Sequence, residues 1–300
     1  MDGQIKQSGN KVAVLIYWAT LLLLTFALLG VGGNQGTQVF ALENGPQVIG
    51  GEEAVPGQWP WMAALVHAPI ANAHLGQFCG GTLVAPQWVL TAAHCTDGLT
   101  ASRIHVVLGR HNLTSDEGER LAVTEIRIHP AYDPGTLDSD LALLRLERPS
   151  VQQTIPIATP QMVGTLAYPG SIATVTGWGN TNIAMPHYPE TLQQAQLPVV
   201  EWEVCNSPAA YNGGVTPNML CAGYDEGGLD SCKGDSGGPL MIAQEEDGIW
   251  VQVGVVSWGE GCAQMYRYGV YTQLANFADW IAANAVAPAA QLWLPAIMTP

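Results

Sequence analysis

Nine short apolar or alternating runs, at residues 61–66, 78–84, 104–108, 121–128, 141–146, 172–178, 192–199, 250–258 and 269–273, are separated by turn-forming residues. Runs this short can bury a face only by pairing with one another, so the pattern predicts an all-β chain organised as a sandwich or barrel. Near the end, Asn276 is placed to cap a short helix whose Phe277, Trp280 and Ile281 fall on one face.

The 300 residues are 48% hydrophobic and only 12% charged, a balance that excludes disorder and supplies a large core. A formal charge of −15 argues against a nucleic-acid partner. It would draw basic substrates only at low salt, and otherwise serves solubility.

Lys6 and Lys11 precede an uncharged, leucine-rich run over 12–33, and Val39-Phe40-Ala41 offers small residues for cleavage. Residues 1–41 therefore read as a signal peptide. At about 20 residues the run is also long enough to span a bilayer, so a membrane-anchored protein with its body outside the cytoplasm is the alternative to a secreted one. The six cysteines form an even set with no Cys-x-x-Cys pair, which favours disulfides over zinc and fits export. Their pairing is open among 15 connectivities on count alone.

Chemistry concentrates in Gly234-Asp235-Ser236-Gly237-Gly238-Pro239, a glycine-rich turn presenting one serine. A serine hydroxyl becomes a nucleophile only with a base to take its proton and donors to hold the oxyanion. Read alone, such a turn is an ordinary loop. Of seven histidines, His94 sits in an ordered setting, Trp88-Val89-Leu90-Thr91-Ala92-Ala93-His94-Cys95, whereas the other six are scattered without ligand-like spacing. Asp140 opens an apolar strand and is the best candidate for a buried carboxylate orienting the ring.

Thr91-Ala92-Ala93-His94-Cys95, Asp140-Leu141-Ala142-Leu143-Leu144 and the Gly234 turn, in that order, resemble the chymotrypsin/trypsin family of serine endopeptidases. The likeness runs from Val48 to about Ala285 and includes Val48-Ile49-Gly50-Gly51, Thr176-Gly177-Trp178-Gly179 and Ser257-Trp258-Gly259. It implies two six-stranded antiparallel β-barrels with the site between them and a short C-terminal α-helix, the stretch with Pro149, Pro156, Pro160 and Pro169 crossing from one barrel to the other. Domain bounds follow: signal segment 1–41, propeptide 42–47, protease domain 48–286 and a tail, 287–300, beyond the family's usual end.

The resemblance also assigns roles. His94, Asp140 and Ser236 would be catalytic, the amides of Gly234 and Ser236 would form the oxyanion hole, and the disulfides would be Cys79–Cys95, Cys205–Cys221 and Cys232–Cys262. Asp230 would lie at the floor of the primary pocket, where its charge selects Arg or Lys, with Gly259 and Gly269 in the walls. Taken in isolation Asp230 could merely cap a turn. Ser257, Trp258 and Gly259 would pair with the substrate backbone. Peptides or proteins with Arg or Lys at the cut, and protein inhibitors, are the implied partners; a membrane is one only if the leader stays as an anchor. No cofactor is implied and no metal is assigned: Arg110 stands where trypsin has a calcium-ligating glutamate, and Asp116, Glu117 and Glu119, which could still bind a hard cation, read as a solvated acidic loop. Lys233, at the pocket rim, departs from the uncharged residue usual in trypsin and suggests a preference for acidic residues flanking the cut. Asn112-Leu113-Thr114 is a glycosylation sequon.

Activation is where the chain departs from the pattern. In the family, a cut frees the amine of the residue matching Val48, which pairs with the carboxylate matching Asp235. Here Gln47 precedes Val48, and no lysine or arginine occurs between Lys11 and Arg103. A trypsin-like self-cut at this junction is therefore chemically excluded. Another protease cuts after Gln47, or 42–47 is trimmed after leader removal, or the chain stays uncut as a zymogen-like binding module.

Overall fold

In the computed structural model, residues 50–182 and 184–285 are described. Thirteen strands form within them: β1 (Glu52–Glu53), β2 (Met62–His67), β3 (Gln77–Ala85), β4 (Trp88–Thr91), β5 (Ile104–Leu108), β6 (Glu119–Ile128), β7 (Ala142–Leu146), β8 (Ile172–Gly177), β9 (Gln193–Val200), β10 (Met219–Ala222), β11 (Pro239–Ala243), β12 (Trp250–Trp258) and β13 (Gly269–Gln273). The first barrel closes in the order β2-β3-β4-β7-β6-β5. The second runs β9-β10-β13-β12-β11-β8 and closes through the β8–β9 pair, with β1 added at the edge of β9. All pairings within the two barrels are antiparallel. The two-barrel expectation therefore holds.

Each barrel is filled by the inward residues of its own strands. Leu65, Leu83, Val89, Val106, Leu108, Leu121 and Leu144 pack the first, and Ala173, Val175, Leu197, Leu240, Val253 and Tyr271 the second, all essentially inaccessible to water. At about 25 cal/mol per Å² of apolar surface, burial of this kind is the main force holding either barrel closed.

Four strands lie outside the nine runs. β4 and β10 have four residues each, too few to show alternation, β11 begins at a proline, and β1 has only two residues. The proline-bearing connector holds a helix, Pro160–Leu166, with Pro160 in the first turn, where a missing N–H costs nothing. Asn276 does not cap the C-terminal helix. The chain turns through a 3-10 segment, Leu274–Phe277, before Ala278–Asn284, and Asn276 Nδ2 donates instead to the carbonyl of Pro217 at 3.0 Å. Phe277 and Ile281 are buried as expected, and Trp280 packs beside them with His129 edge-on to it at 4.9 Å.

The signal segment, the propeptide, Val48 and the 287–300 tail lie outside the described residues. Among those described, no helix is long and apolar enough to cross a membrane.

Candidate active site

His94 lies in the 3-10 turn Ala93–Cys95, directly after β4, and Asp140 precedes β7; the pairing of Thr91 with Ala142 draws the two together. Asp140 is fully buried. Its Oδ1 accepts the His94 backbone N–H at 2.9 Å and its Oδ2 lies 2.7 Å from His94 Nδ1. With Nδ1 held by a carboxylate, the other ring nitrogen is left to face outward. Ser257 Oγ donates to the same Oδ2 at 2.5 Å, and Thr272 Oγ1 donates to the Asp140 carbonyl at 3.0 Å. Both come from the second barrel. Ser257 reaches across because β12 slips register against β13 between Val256 and Trp258, a bulge that re-aims the side chain.

Ser236 sits on the opposing turn, tied to the first barrel by its carbonyl, which accepts the Gly80 N–H at 2.7 Å. The Cys79–Cys95 disulfide lies close to both this turn and the histidine: Cys95 Sγ is 3.6 Å from the Ser236 carbonyl oxygen and 3.7 Å from His94 Nε2. Glycine is required at 237, where φ is +81° and a Cβ would stand 2.2 Å from Thr91 Oγ1 and 2.6 Å from the Gly80 carbonyl oxygen. The amides of Asp235, Gly237 and Gly238 donate to Cys232, Val256 and Asp235 carbonyls. Those of Gly234 and Ser236 have no acceptor among the described residues, so two N–H donors are left at the turn.

Beside this turn opens a cavity of about 230 Å³, lined among others by Asp230, Lys233, Ser236, Trp258, Gly259 and Gly269. Asp230 is almost wholly buried. Burial pushes its carboxyl up to about 7 despite backbone hydrogen bonds from Ala263 and Ser231, with the nearby Asp235 charge adding to the rise. Its Oδ1 has no hydrogen-bond partner among the described residues. A Cβ at 269 would stand 3.1 Å from that oxygen, so the glycine keeps the way to it open. Ser257 and Trp258 line the rim; Trp258 is braced edge-on by Tyr211 at 4.8 Å. The Cys232–Cys262 bridge closes one side of the cavity, and Cys205–Cys221 braces the turn before β10.

Asp235 points away from the cavity into the protein. It is completely buried, accepts from Gly179 N–H at 2.8 Å and Cys232 N–H at 2.9 Å, and burial raises its carboxyl to about 6. No basic side chain bonds to it among the described residues. The first described residue, Gly50, packs against the carbonyl of Gly228, just before Asp230. Val48, two residues upstream, lies outside the described residues.

In the loop between β5 and β6, Arg110 donates to the Glu117 carbonyl at 2.6 Å, and Glu119 accepts from Arg148, Ser150 and Val151. These bonds occupy the Glu117 carbonyl and the Glu119 carboxylate. Asn112 Oδ1 accepts from both N–H and Oγ1 of Thr114. Sequence reasoning singled out Ser257 for its backbone but missed its hydroxyl on Asp140, and it missed Gln77, whose Nε2 donates to the Gly234 carbonyl at 2.8 Å across 157 residues. No local pattern marks either contact.

A sequence model of the family named Trypsin matches residues 48–281. Anionic trypsin of Canis lupus familiaris is 38% identical over 267 residues, covering 88% of this chain and 98% of that protein. Coagulation factor XII of Sus scrofa is 41% identical over 270 residues, covering 85% of this chain and 42% of the relative. Transmembrane protease serine 5 of Homo sapiens is 38% identical over 248 residues, covering 78% and 51% respectively. The chain thus spans nearly all of the trypsin and about half or less of the two longer proteases.

Proposed function

We propose, from the premise that this chain belongs to the trypsin family of serine endopeptidases, that it hydrolyses peptide bonds on the carboxyl side of arginine and lysine. Asp230 carries the reading. It is a buried carboxylate at the wall of a cavity that also contains Ser236, with one oxygen unpartnered and no basic side chain bonded to it among the described residues. An unpaired buried charge is costly, and a substrate that brings its own cation relieves that cost where a neutral one does not.

Catalysis is assigned to His94, Asp140 and Ser236. With Nδ1 directed at Asp140, His94 takes the Ser236 proton on Nε2 as the oxygen attacks the scissile carbonyl, and returns it to the leaving amine. Asp140 fixes the tautomer and steadies the imidazolium. The amides of Gly234 and Ser236 hold the oxyanion. Water then hydrolyses the acyl-enzyme by the same route. The Ser257–Gly259 backbone receives the substrate as an added strand.

The Val48 amine, once freed, would enter and pair with Asp235, whose buried carboxylate lacks a cation among the described residues. The second reading, an uncut protease homologue acting as a binding module, rests on Gln47 and on the absence of basic residues around the junction. Secretion is the proposed destination, with anchoring by 12–33 as the alternative. Lys233, lining the cavity, supplies a preference for acidic residues flanking the cut; equal rates on peptides differing only in that charge, for native and Lys233→Gln alike, would remove it.

Short chromogenic amides ending in Arg, Lys, Phe or Ala test the assignment, with Ser236→Ala as the control. Turnover of Arg and Lys amides alone supports it. Turnover led by Phe or Ala overturns the role of Asp230, and no turnover by a chain beginning at Val48 supports the binding reading.

A further inference from the structure

We propose that Gln77, the first residue of β3, is a positioning residue for the oxyanion hole, acting through the Gly234 carbonyl; the inference rests on the endopeptidase reading above. A peptide unit is planar, so a hydrogen bond to its carbonyl also restrains the N–H across the same plane. Gly234 joins two such planes, and its φ of +103° is one that side-chain-bearing residues rarely adopt. Glycine adopts such an angle without a steric penalty but gives up the most conformational freedom on being fixed, so anchoring its two flanking planes is what holds it there.

Both are anchored here through their carbonyls. The Lys233 carbonyl, in the plane that carries the Gly234 N–H, accepts from Asn180 N–H at 2.8 Å. The Gly234 carbonyl, in the next plane, accepts from Gln77 Nε2 at 2.8 Å, while the Asp235 N–H of that plane donates to the Cys232 carbonyl at 3.0 Å. The third plane carries the Ser236 N–H, and its Asp235 carbonyl accepts from Gly238 N–H at 2.9 Å. Gln77 is the only side chain in this series, the link between the two planes whose N–H groups lack acceptors among the described residues. The same strand holds the Ser236 carbonyl through Gly80, so the first barrel grips the turn at two alternate carbonyls. Both oxygens within reach of Nε2, those of Gly234 and Cys79, are acceptors, which fixes the amide orientation.

Oxyanion donors are effective only when held in place before the charge develops, and losing one outright costs about 10²–10³-fold in kcat. Loosening one by removing its support is a smaller effect, about 10-fold. The test compares native enzyme, Gln77→Ala and Gln77→Glu, the last keeping shape while losing the donor. The readouts are kcat and KM on an arginyl amide, the Ki of a peptidyl argininal, whose adduct requires the oxyanion donors, and the Ki of benzamidine, which reports on the Asp230 pocket alone. The expected result is a fall in kcat and a weakening of the argininal by about 10-fold in both variants, with KM and benzamidine Ki within 2-fold of native. Gln77→His, able to donate again, recovers part of the loss. The proposal is overturned if kcat and argininal Ki stay within 2-fold in the variants, or if benzamidine weakens in parallel with the argininal. A native enzyme that binds neither inhibitor contradicts the endopeptidase reading instead.

Discussion

Ser257 Oγ and Asp140 Oδ2 lie 2.5 Å apart, and the same carboxylate oxygen faces His94 Nδ1 at 2.7 Å. One oxygen from the first barrel thus joins a histidine of its own barrel to a serine of the other. The contact places the inter-barrel seam at the proposed catalytic carboxylate, so chemistry and barrel packing depend on each other there.

Replacing Asp140 by asparagine removes the charge that fixes the histidine tautomer. On the Ser-His-Asp precedent, where the measured drop is about 10⁴-fold, kcat on arginyl amides is expected to fall by that order with little change in KM. Ser257→Ala takes away only one of the two donors to Oδ2, and a loss of about 10-fold is expected. Steady-state kinetics of both variants check this; equal losses would remove the ranking of the two contacts.

Binding of cationic ligands is expected to weaken on the acid side of about pH 7, where Asp230 in the empty pocket takes up a proton. A benzamidine titration across pH 5–9 measures it, and Asp230→Asn should bind weakly at every pH. Truncating one partner of a buried charge pair typically costs 2–5 kcal/mol, so a loss of about 10²–10³-fold in kcat/KM for arginyl amides is expected.

Stability gives the opposite sign. A carboxyl whose folded pKa is raised binds its proton more tightly in the fold, so it stabilises at low pH, and that contribution is lost as pH rises from about 4 through about 7. Asp230→Asn should therefore melt above the native protein at pH 8 and level with it at pH 4. A Tm difference independent of pH would contradict the burial argument.

If Val48 supplies the partner of Asp235, active material begins at Val48, and Asp235→Asn loses at least about 10²-fold in activity, since breaking a buried pair typically costs 3–5 kcal/mol. A free α-amine titrates near pH 8, and pairing raises that value, so activity should decline on the alkaline side as the amine loses its charge. N-terminal sequencing alongside a pH profile decides the matter; full activity in material beginning at Leu42 or Met1 would sink the mechanism.

Gly237→Ala forces a Cβ to within 2.2 Å of Thr91 Oγ1 at a positive φ. Overpacking and the left-handed backbone together are expected to destabilise by about 2–5 kcal/mol. Denaturant unfolding measures this, and a loss below 1 kcal/mol would mean that the two barrels can part there at little cost.

Periodicity was enough for an all-β chain, because alternation over five or more residues is a local property, as in β8 and β12. The four-residue strands β4 and β10 were invisible for the same reason: their existence is decided by partners far away in the chain, Leu144 opposite Val89 and Tyr271 opposite Leu220. Asn276 was misread as a cap because its side chain has a better use at Pro217, fifty-nine residues back, which no local pattern reports.

By itself the sequence determined which residue types are present to do chemistry, a serine among glycines, a histidine beside a cysteine and an aspartate before an apolar strand, and, through the family likeness, which of them belong together. Only the tertiary structure decided how they are held: the Ser257 hydroxyl on Asp140, the Gln77 amide on the Gly234 carbonyl, and Asp230 buried with one oxygen unpartnered among the described residues. The physical reason is that hydrogen-bond geometry and desolvation depend on distances between groups more than a hundred residues apart in the chain. Those distances are set by the closing of two barrels against each other.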